Sequence, residues 1–499
     1  IITATEHNGA TVVFDVEKMK EISRYRLSDT FSAYAIAAHP FEDVILIGES
    51  NTIHYIDRVS GRRLKSFKAL GQRIFNMTYD QKGKYLVTAA RDLKLKIWDL
   101  EQNKIIRSFF GFFPVAFSPN GKEFVSMHNA IEMALWDAAT GEKKAVLPTE
   151  GELIQNISFN KEGTLLAGAG FQGIVRVWDM KTQKQIHAFK GHSGGIYGTA
   201  FHPENQLLAS CGMDNTIRIW DIKSGKQIKQ LEDQTIIISD VKFSPNGLYL
   251  ASSSWDKTIK IYRVSDWQLM HSLEGHTNMI TTIDFSSDSR FLASGAGNNS
   301  VAIADNSVIV WDVESGKESC RYTGHTGAVS KVIFDKLATH IYSTSEDGTV
   351  KVWDYVKCQE LATFINVGDL DYCVITPDNY YMASRGALDG ISFRLGADLY
   401  PFEQFDLKFN RPDIVCNRLG KTPQGLINAY EYLYGKRLRK NGFNEEDLTE
   451  DFNVPKLSIT TKNLPLMTDQ RNLKFDVSAV DDKYLLNRIN VFVNDVPVF

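Results

Sequence analysis

Cysteine is scarce in this chain, and neither sign of charge is in excess. Five cysteines, Cys211, Cys320, Cys358, Cys373 and Cys416, are scattered over 499 residues, odd in number and without a CxxC pair. That pattern argues against a disulfide framework and a zinc site, and it fits a reducing, cytoplasmic compartment. Lys and Arg number 56 against 60 Asp and Glu, a formal net charge of −4, with no long block of either sign. Such a balance carries no electrostatic footprint for nucleic acid or for an anionic membrane surface. No apolar run is long enough to span a bilayer, and the opening IITATEHNGATVVFDV lacks the charged start and apolar centre of a signal peptide. An initiator Met is missing as well, so the native N-terminus is expected upstream. The phosphate-binding GxxxxGK and the metalloprotease HExxH do not occur, and the glycines of AGAGFQG (167–173) belong to a strand-to-strand turn. No cofactor, no metal and no catalysis by the residues present are expected.

What the chain has is repetition. An alternating apolar strand that ends in aromatic-Asp returns as VVFDV, IHYID, LKIWDL, ALWDA, VRVWDM, IRIWDI, IKIYRV, VIVWDV and VKVWDY. The closing column is Asp15, Asp57, Asp99, Asp137, Asp179, Asp221, Arg263, Asp312 and Asp354, spaced by 42 residues except for single intervals of 38 and 49. Each period also holds an apolar strand ending in Phe, such as TTIDF or SKVIF, a turn such as SPNG, and a second strand such as LLAS or YLAS. Four short strands per period without a helical pattern is the unit of a β-propeller blade. With 43% hydrophobic residues, the chain has ample material for such cores.

Over about residues 1–400 this pattern resembles the WD40 family. The resemblance extends to a polar set within three blades: Gly191-His192, Gly275-His276 and Gly324-His325 precede the turn residues Asp214, Asp305 and Asp347. It implies that each Asp accepts from its His and from its own turn. It further implies that Ser210, Ser294 and Ser343 lie between His192, His276 and His325 and the indoles of Trp220, Trp311 and Trp353. Such a set satisfies buried donors and is structural. A hydrolase triad would not need three copies. The insertion in GAGNNSVAIAD lengthens one loop without upsetting this register. The unit ending IKIYRV keeps Ser252 and Asp256 but has Tyr262 and Arg263 in the Trp-Asp positions and no Gly-His opening, while Asn8 and Ser50 replace the turn Asp in the first units.

Counting back from GISFRL gives seven units, so the expected fold is all-β: the last three blades of an N-terminal propeller at 1–104, a seven-bladed propeller at 105–396, and a small α+β connector. In this count the strand near IIRSFFG completes the blade that ends in GISFRL. A single ten-bladed ring is the alternative. The connector divides into a helical part at 397–455 and an incomplete sandwich-like part at 456–499, the latter from LSITT, LKFDVSAV and INVFVN with a turn at Asn494-Asp495. Thr422, Pro423 and Asn441-Gly442 bound its main helix. The cations in that helix's last turn suit its dipole, a docking site for an acidic partner being the other reading. LYPFEQFDLKFNRPDIV, the Tyr-rich helix and NRINVFVNDVPVF resemble the connector of bacterial proteins that place WD40 propellers before a caspase-like cysteine protease (peptidase C14 type). This implies a protease domain beyond Phe499. None of the five cysteines here stands in a QACRG-like context.

In WD40 proteins the residue before the turn Asp commonly points onto the loop face. This selects Arg91, Phe171, Met213, Trp255 and Glu346 as partner-binding candidates, with Tyr197 on a first strand beside them. The competing reading for Trp255 is packing against the neighbouring blade. The expected function is a protein-interaction module that regulates an attached caspase-like domain. The alternatives are a stand-alone scaffold of a multiprotein complex and, with only general precedent, an enzyme with its site in a propeller channel. Partners are expected to be proteins, with no nucleic acid and no membrane.

Overall fold

A computed structural model describes residues 74–448 apart from short segments (80–83, 91–92, 100, 103, 130, 205, 299–304, 336–338, 368–370, 389–390, 396–397 and 403–404), and individual strands on either side of that span. Asn8, Ser50 and Arg91 lie outside the described residues, as does most of the insertion before Asp305.

The local rules that make a blade are visible in its turns. In Ser244–Gly247, Ser244 Oγ donates to Asn246 Oδ1 at 2.7 Å, and Gly247 returns its N–H to the Ser244 carbonyl at 2.8 Å with φ +74°. Glycine takes that left-handed conformation without steric penalty, which ends the first strand and starts the second. The Asp that closes each third strand caps the next turn. Asp137 Oδ1 accepts from the amides of Ala139 and Thr140 at 2.9 and 2.8 Å, and Asp354 does the same for Val356 and Lys357 at 3.0 and 2.9 Å. Arg263 breaks the column, and Asp266 compensates by accepting from the Arg263 guanidinium at 3.0 Å and from the Gln268 amide at 3.1 Å.

Seven antiparallel sheets of contiguous sequence form the propeller. Blade 1 comprises Ile74–Tyr79, Tyr85–Ala90, Lys94–Asp99 and Lys104–Phe110. Blade 2 starts at Phe112–Phe117, blade 3 at Ile154–Phe159, blade 4 at Ile196–Phe201, blade 5 at Ile238–Phe243, blade 6 at Ile280–Phe285 and blade 7 at Val329–Phe334. Each of these first strands lies against the first strand of the next blade, and that of blade 7 lies against that of blade 1.

Two repeated contacts show that the junction from blade 7 to blade 1 is like the others. Ser239 Oγ donates to the Ile280 carbonyl at 2.6 Å, Thr281 Oγ1 to the Val329 carbonyl, and Ser330 Oγ to the Ile74 carbonyl at 2.6 Å. On the outer side, an aromatic of the fourth strand meets the next blade's Trp at four junctions, that of blade 7 with blade 1 among them. Phe109 lies 5.3 Å from Trp136, Phe189 5.0 Å from Trp220, Tyr322 4.7 Å from Trp353, and Phe364 5.6 Å from Trp98.

The ring therefore runs from Ile74 to Asn366 and not over 105–396, with the unit ending at Trp98 as its first blade rather than the last blade of another propeller. The strand Lys104–Phe110 pairs with Lys94–Asp99 of its own blade, not with GISFRL. The segment read as a further blade is an annex: Tyr372–Ile375 and Tyr381–Ala383 add to the outer edge of blade 7, making a six-stranded sheet. Among the described residues, Ser392–Leu395 pairs only with Asp398–Pro401. A ten-bladed ring is excluded by the same closure. Two sheets precede blade 1: Ile2–Thr5, Ala10–Asp15 and Lys20–Arg26, and Ala33–Ala38, Val44–Glu49, Thr52–Asp57 and Arg63–Lys68.

After the annex come helices at Asp406–Phe409, Pro412–Leu419 and Gln424–Asn441. Val374, Met382, Val415, Cys416, Leu419 and Ile427 share one core with Ile74 and Trp98 of blade 1 and Tyr342 and Phe364 of blade 7. Thr422 Oγ1, read from sequence as a cap, donates to the Glu101 carbonyl of blade 1 at 2.9 Å. The second compact unit, Leu433–Phe499, holds the hairpin-like pairs Lys456–Ile459 with Val477–Val480 and Phe492–Val493 with Val496–Pro497.

The cysteine pattern argues against disulfides, yet the fold joins Cys320 and Cys358 in one, Cα atoms 5.5 Å apart, because the outer edge of blade 6 meets a turn of blade 7. Cys211, Cys373 and Cys416 are buried thiols.

Candidate functional site

Three blades carry a complete polar relay. In blade 4, Trp220 Nε1–H donates to Ser210 Oγ at 2.8 Å, Ser210 lies 2.8 Å from His192 Nε2, and His192 Nδ1 lies 2.9 Å from both Asp214 oxygens. Blade 6 repeats it with Trp311–Ser294 at 2.8 Å, Ser294–His276 at 2.8 Å and His276–Asp305 at 3.1 Å. Blade 7 does so with Trp353–Ser343 at 2.8 Å, Ser343–His325 at 2.7 Å and His325–Asp347 at 2.9 Å. Each serine oxygen accepts from an indole and gives its proton to imidazole, leaving the other ring nitrogen to donate to the carboxylate. Burial alone would raise the Asp347 carboxyl, but the bonds from His325 and Thr349 outweigh it and hold the group at about 2. Ser210, Ser294 and Ser343 are fully buried, and each hydroxyl is held between the indole and the imidazole of its own blade.

The incomplete blades show what the relay replaces. Gln234 occupies the His position of blade 5, its Nε2 3.5 Å from the Ser252 carbonyl, while Asp256 still accepts from Thr258 Oγ1 at 2.6 Å. Blade 3 has Gly168 in place of the serine, and Trp178 Nε1 donates instead to the Pro148 carbonyl at 3.2 Å. There a buried ion pair, Arg176 Nε to Glu152 at 3.2 Å, takes over, with Glu152 also accepting from the Gln172 amide at 2.9 Å.

The residues before the turn Asp are held at equivalent places on one face. Met213 N–H donates to the Gly195 carbonyl at 2.8 Å, Trp255 N–H to the Ile237 carbonyl at 3.0 Å and Glu346 N–H to the Ala328 carbonyl at 2.9 Å. Phe171 and Met213 flank the backbone at Gly195, where an added Cβ would lie 3.1 Å from the Phe171 ring and 3.2 Å from the Met213 sulfur. A side chain at that position would wedge them apart. Trp255 is half-buried, its ring centroid 6.2 Å from that of Tyr197. Phe171 is 54% exposed, Met213 46% and Ile236 44%. Blades 3, 4 and 5 thus place Phe171, Met213, Tyr197, Trp255 and Ile236 in one apolar sector. Glu346 stands apart from it, lining a cavity of about 450 Å³ between blades 6 and 7 with Met279, Thr281, Gly297 and Ser330.

One cluster was hidden in strands that read as simply apolar. Asp240 and Lys242 in blade 5, Thr282 and Asp284 in blade 6, and Lys331 in blade 7 converge on neighbouring first strands. Lys331 Nζ lies 3.3 Å and Lys242 Nζ 3.8 Å from the Asp240 carboxylate, which also accepts from the Ile283 amide at 3.3 Å. Asp284 accepts from the Phe334 amide at 2.8 Å. Burial works against ionisation of Asp240, yet the two ammonium groups hold its carboxyl below the usual range, whereas burial pushes Asp284 up. The signal available in the sequence was a charged residue in each of DVKF, TTIDF and SKVIF, with two in DVKF at alternate positions. Among the described residues, no group of His, Cys, Asp and Glu is arranged to hold a metal, and no helix is long and apolar enough to cross a membrane.

The WD40 model (WD domain, G-beta repeat) matches residues 61–99, 183–221, 225–263, 267–312 and 316–354. The chain therefore carries WD40 repeats in a seven-bladed β-propeller. Among curated proteins it is similar to the WD repeat-containing protein 91 homolog of Dictyostelium discoideum, 28% identical over 134 residues, 25% of this chain and 18% of that one. It is also similar to pre-mRNA-processing factor 19 of Oryza sativa subsp. japonica, 23% identical over 197 residues (36% and 37%). A third relative is the target of rapamycin complex subunit LST8 of Saccharomyces cerevisiae (strain ATCC 204508 / S288c), 22% identical over 183 residues (35% and 57%). The matches span less than two thirds of each relative.

Proposed function

We propose that this protein is a non-catalytic scaffold of a multiprotein assembly whose protein partner docks on the loop face across blades 3 to 5. The observation that carries this reading is the sector itself: Phe171, Met213 and Ile236 are exposed, Trp255 and Tyr197 are in ring contact beside them, and three consecutive blades contribute. Large apolar side chains clustered at a rigid surface supply most of the energy in protein interfaces, and a monomer seldom exposes them together. One relative is by name a subunit of a complex, which fits the same role. The proposed setting is the cytoplasm.

The test pairs Trp255→Ala with Phe171→Ser in the full chain, follows partner capture by mass spectrometry, and then titrates the identified partner in purified form. Each substitution should weaken that partner about 30-fold, the loss of about 2 kcal/mol typical of a hot spot, with thermal unfolding unchanged. A large drop in unfolding temperature for Trp255→Ala would assign it to the core instead, and unchanged affinity in both variants would move the docking site elsewhere.

The finer reading, control of a caspase-like cysteine protease joined beyond the connector, draws its support from the resemblance of residues 397–499. It requires a native polypeptide longer by a protease domain, which intact mass measures directly.

A further inference from the structure

The outer rim of the ring repeats one contact between blades. The third-to-fourth-strand turn of a blade ends on a residue of left-handed backbone: Gly141, Gly225 and Gly316 in blades 2, 4 and 6, with φ of +73°, +68° and +68°. That turn abuts the outer strand of the preceding blade. An added Cβ at Gly225 would lie 3.5 Å from the His187 imidazole, one at Gly316 2.9 Å from His271, and one at Gly141 3.7 Å from Arg107. His187, His271 and Arg107 occupy one register position, opposite Val177, Ile261 and Ile97.

At the junction of blades 6 and 7 both partners are cysteine. Cys320 lies opposite Val310 in that same register, and Cys358 takes the turn position with φ +53°, a conformation disfavoured for a side chain with a Cβ. Cys358 is exposed and Cys320 is buried. The remaining thiols are poor competitors: burial raises Cys211 and pushes Cys373 up to about 12, and Cys416 is buried as well.

We propose that Cys320 and Cys358 form a reversible disulfide site that latches blade 6 to blade 7 and is written by thiol–disulfide exchange with a low-molecular-weight disulfide. The exposed Cys358 thiolate attacks one sulfur of glutathione disulfide, and a glutathione thiolate leaves. The Cys320 thiolate then attacks the Cys358 sulfur of the mixed disulfide and expels the second glutathione. Two protein thiols are oxidised to one disulfide, the reagent is reduced to two thiols, and the two protons pass to them. Exposure decides the order, since only Cys358 can meet the reagent, and proximity decides the outcome, since Cys320 is already in bonding range. In a reducing compartment such a pair reports a shift in thiol–disulfide poise rather than serving as a permanent staple.

The experiment equilibrates the folded full chain in buffers of graded glutathione to glutathione disulfide ratio, quenches with acid, alkylates free thiols and maps the peptides by mass spectrometry. Oxidation should remove two alkylatable thiols, those of Cys320 and Cys358, in a single transition that excess dithiothreitol reverses. Cys320→Ser should accumulate glutathione on Cys358, whereas Cys358→Ser should leave Cys320 unmodified. Absence of the linked peptide at every ratio, a link that resists dithiothreitol on the folded chain, or glutathione accumulating on Cys320 would each overturn the proposal.

Discussion

Ser343→Ala is the substitution that most directly tests the structural role of the His, Ser, Asp and Trp sets. Ser343 Oγ accepts from Trp353 at 2.8 Å and lies 2.7 Å from His325 Nε2, with Ser343 and Trp353 buried in blade 7. Removing the hydroxyl orphans an indole N–H and an imidazole nitrogen, each costing about 1–3 kcal/mol, or about 2–6 kcal/mol together. Blade 2 supplies the control. Ser126 accepts from Trp136 at 3.0 Å but otherwise reaches only the carbonyl of its neighbour Met127, so Ser126→Ala orphans one donor and should cost about 1–3 kcal/mol.

Hydrogen exchange read by mass spectrometry resolves the two blades separately and needs no single global transition. At a tenfold change per about 1.4 kcal/mol, amides of His340–Ser345 should lose protection by about 30-fold to on the order of ten-thousand-fold in Ser343→Ala. Amides of Glu123–Asn129 should lose clearly less in Ser126→Ala. Equal losses in the two variants would refute the reasoning, because they would show that the indole bond alone matters and that the imidazole relay adds nothing.

The Asp347 carboxyl is held at about 2, below its unfolded value near 4, so it contributes stability above pH 4 that disappears as pH falls toward 2; blade 7 protection factors, corrected for the intrinsic exchange rate at each pH, should be flat on this account from pH 8 to 5 and fall steeply below 4. Lys331→Met leaves Asp240 with one cation at 3.8 Å and should destabilise by about 3 kcal/mol, with Asp240→Leu added to it recovering part of the loss; a double variant worse than the single one would contradict the ion-pair account. A fragment of residues 74–448 should unfold cooperatively on heating, whereas one of residues 105–396 lacks three strands of blade 1 and should bind an apolar dye and aggregate. The reverse result would restore the ring boundaries read from sequence.

The strands, turns and relay sets were legible because their signals are local: a two-residue alternation, Asn-Gly after Ser-Pro, and an Asp ending every third strand but that of blade 5. Ring closure was not, because Tyr372–Ile375 and Tyr381–Ala383 alternate like any blade strand, and only contacts such as Ser330 to Ile74, 256 residues apart, say where the ring ends. The charged cluster failed for a related reason. Asp240 and Lys331 each look like solvent-facing positions of a half-buried strand, and they meet across 91 residues only once blades 5, 6 and 7 are side by side. Cysteine connectivity is likewise non-local, and spacing alone could not have paired Cys320 with Cys358.

Closure by contiguous blades has a consequence for how the protein acts. Blades 1 and 7 exchange no strand, so their junction depends on packing, and the segment after blade 7 is part of it. Val374, Met382, Val415, Cys416, Leu419 and Ile427 fill the same core as Trp98 and Phe364, and Lys421 reaches Asp335 of blade 7 at 2.9 Å while Thr422 reaches Glu101 of blade 1. Exposing six such side chains costs about 1.5–3 kcal/mol each, on the order of 10 kcal/mol in all. A partner can shift a conformational equilibrium only by the difference in its affinity for the two states, and 10 kcal/mol is most of what nanomolar binding provides in total. The partner proposed for blades 3 to 5 would lose most of its binding energy in freeing this segment. The residues up to Ile427 are thereby packed into the wall of the ring at the junction of blades 1 and 7.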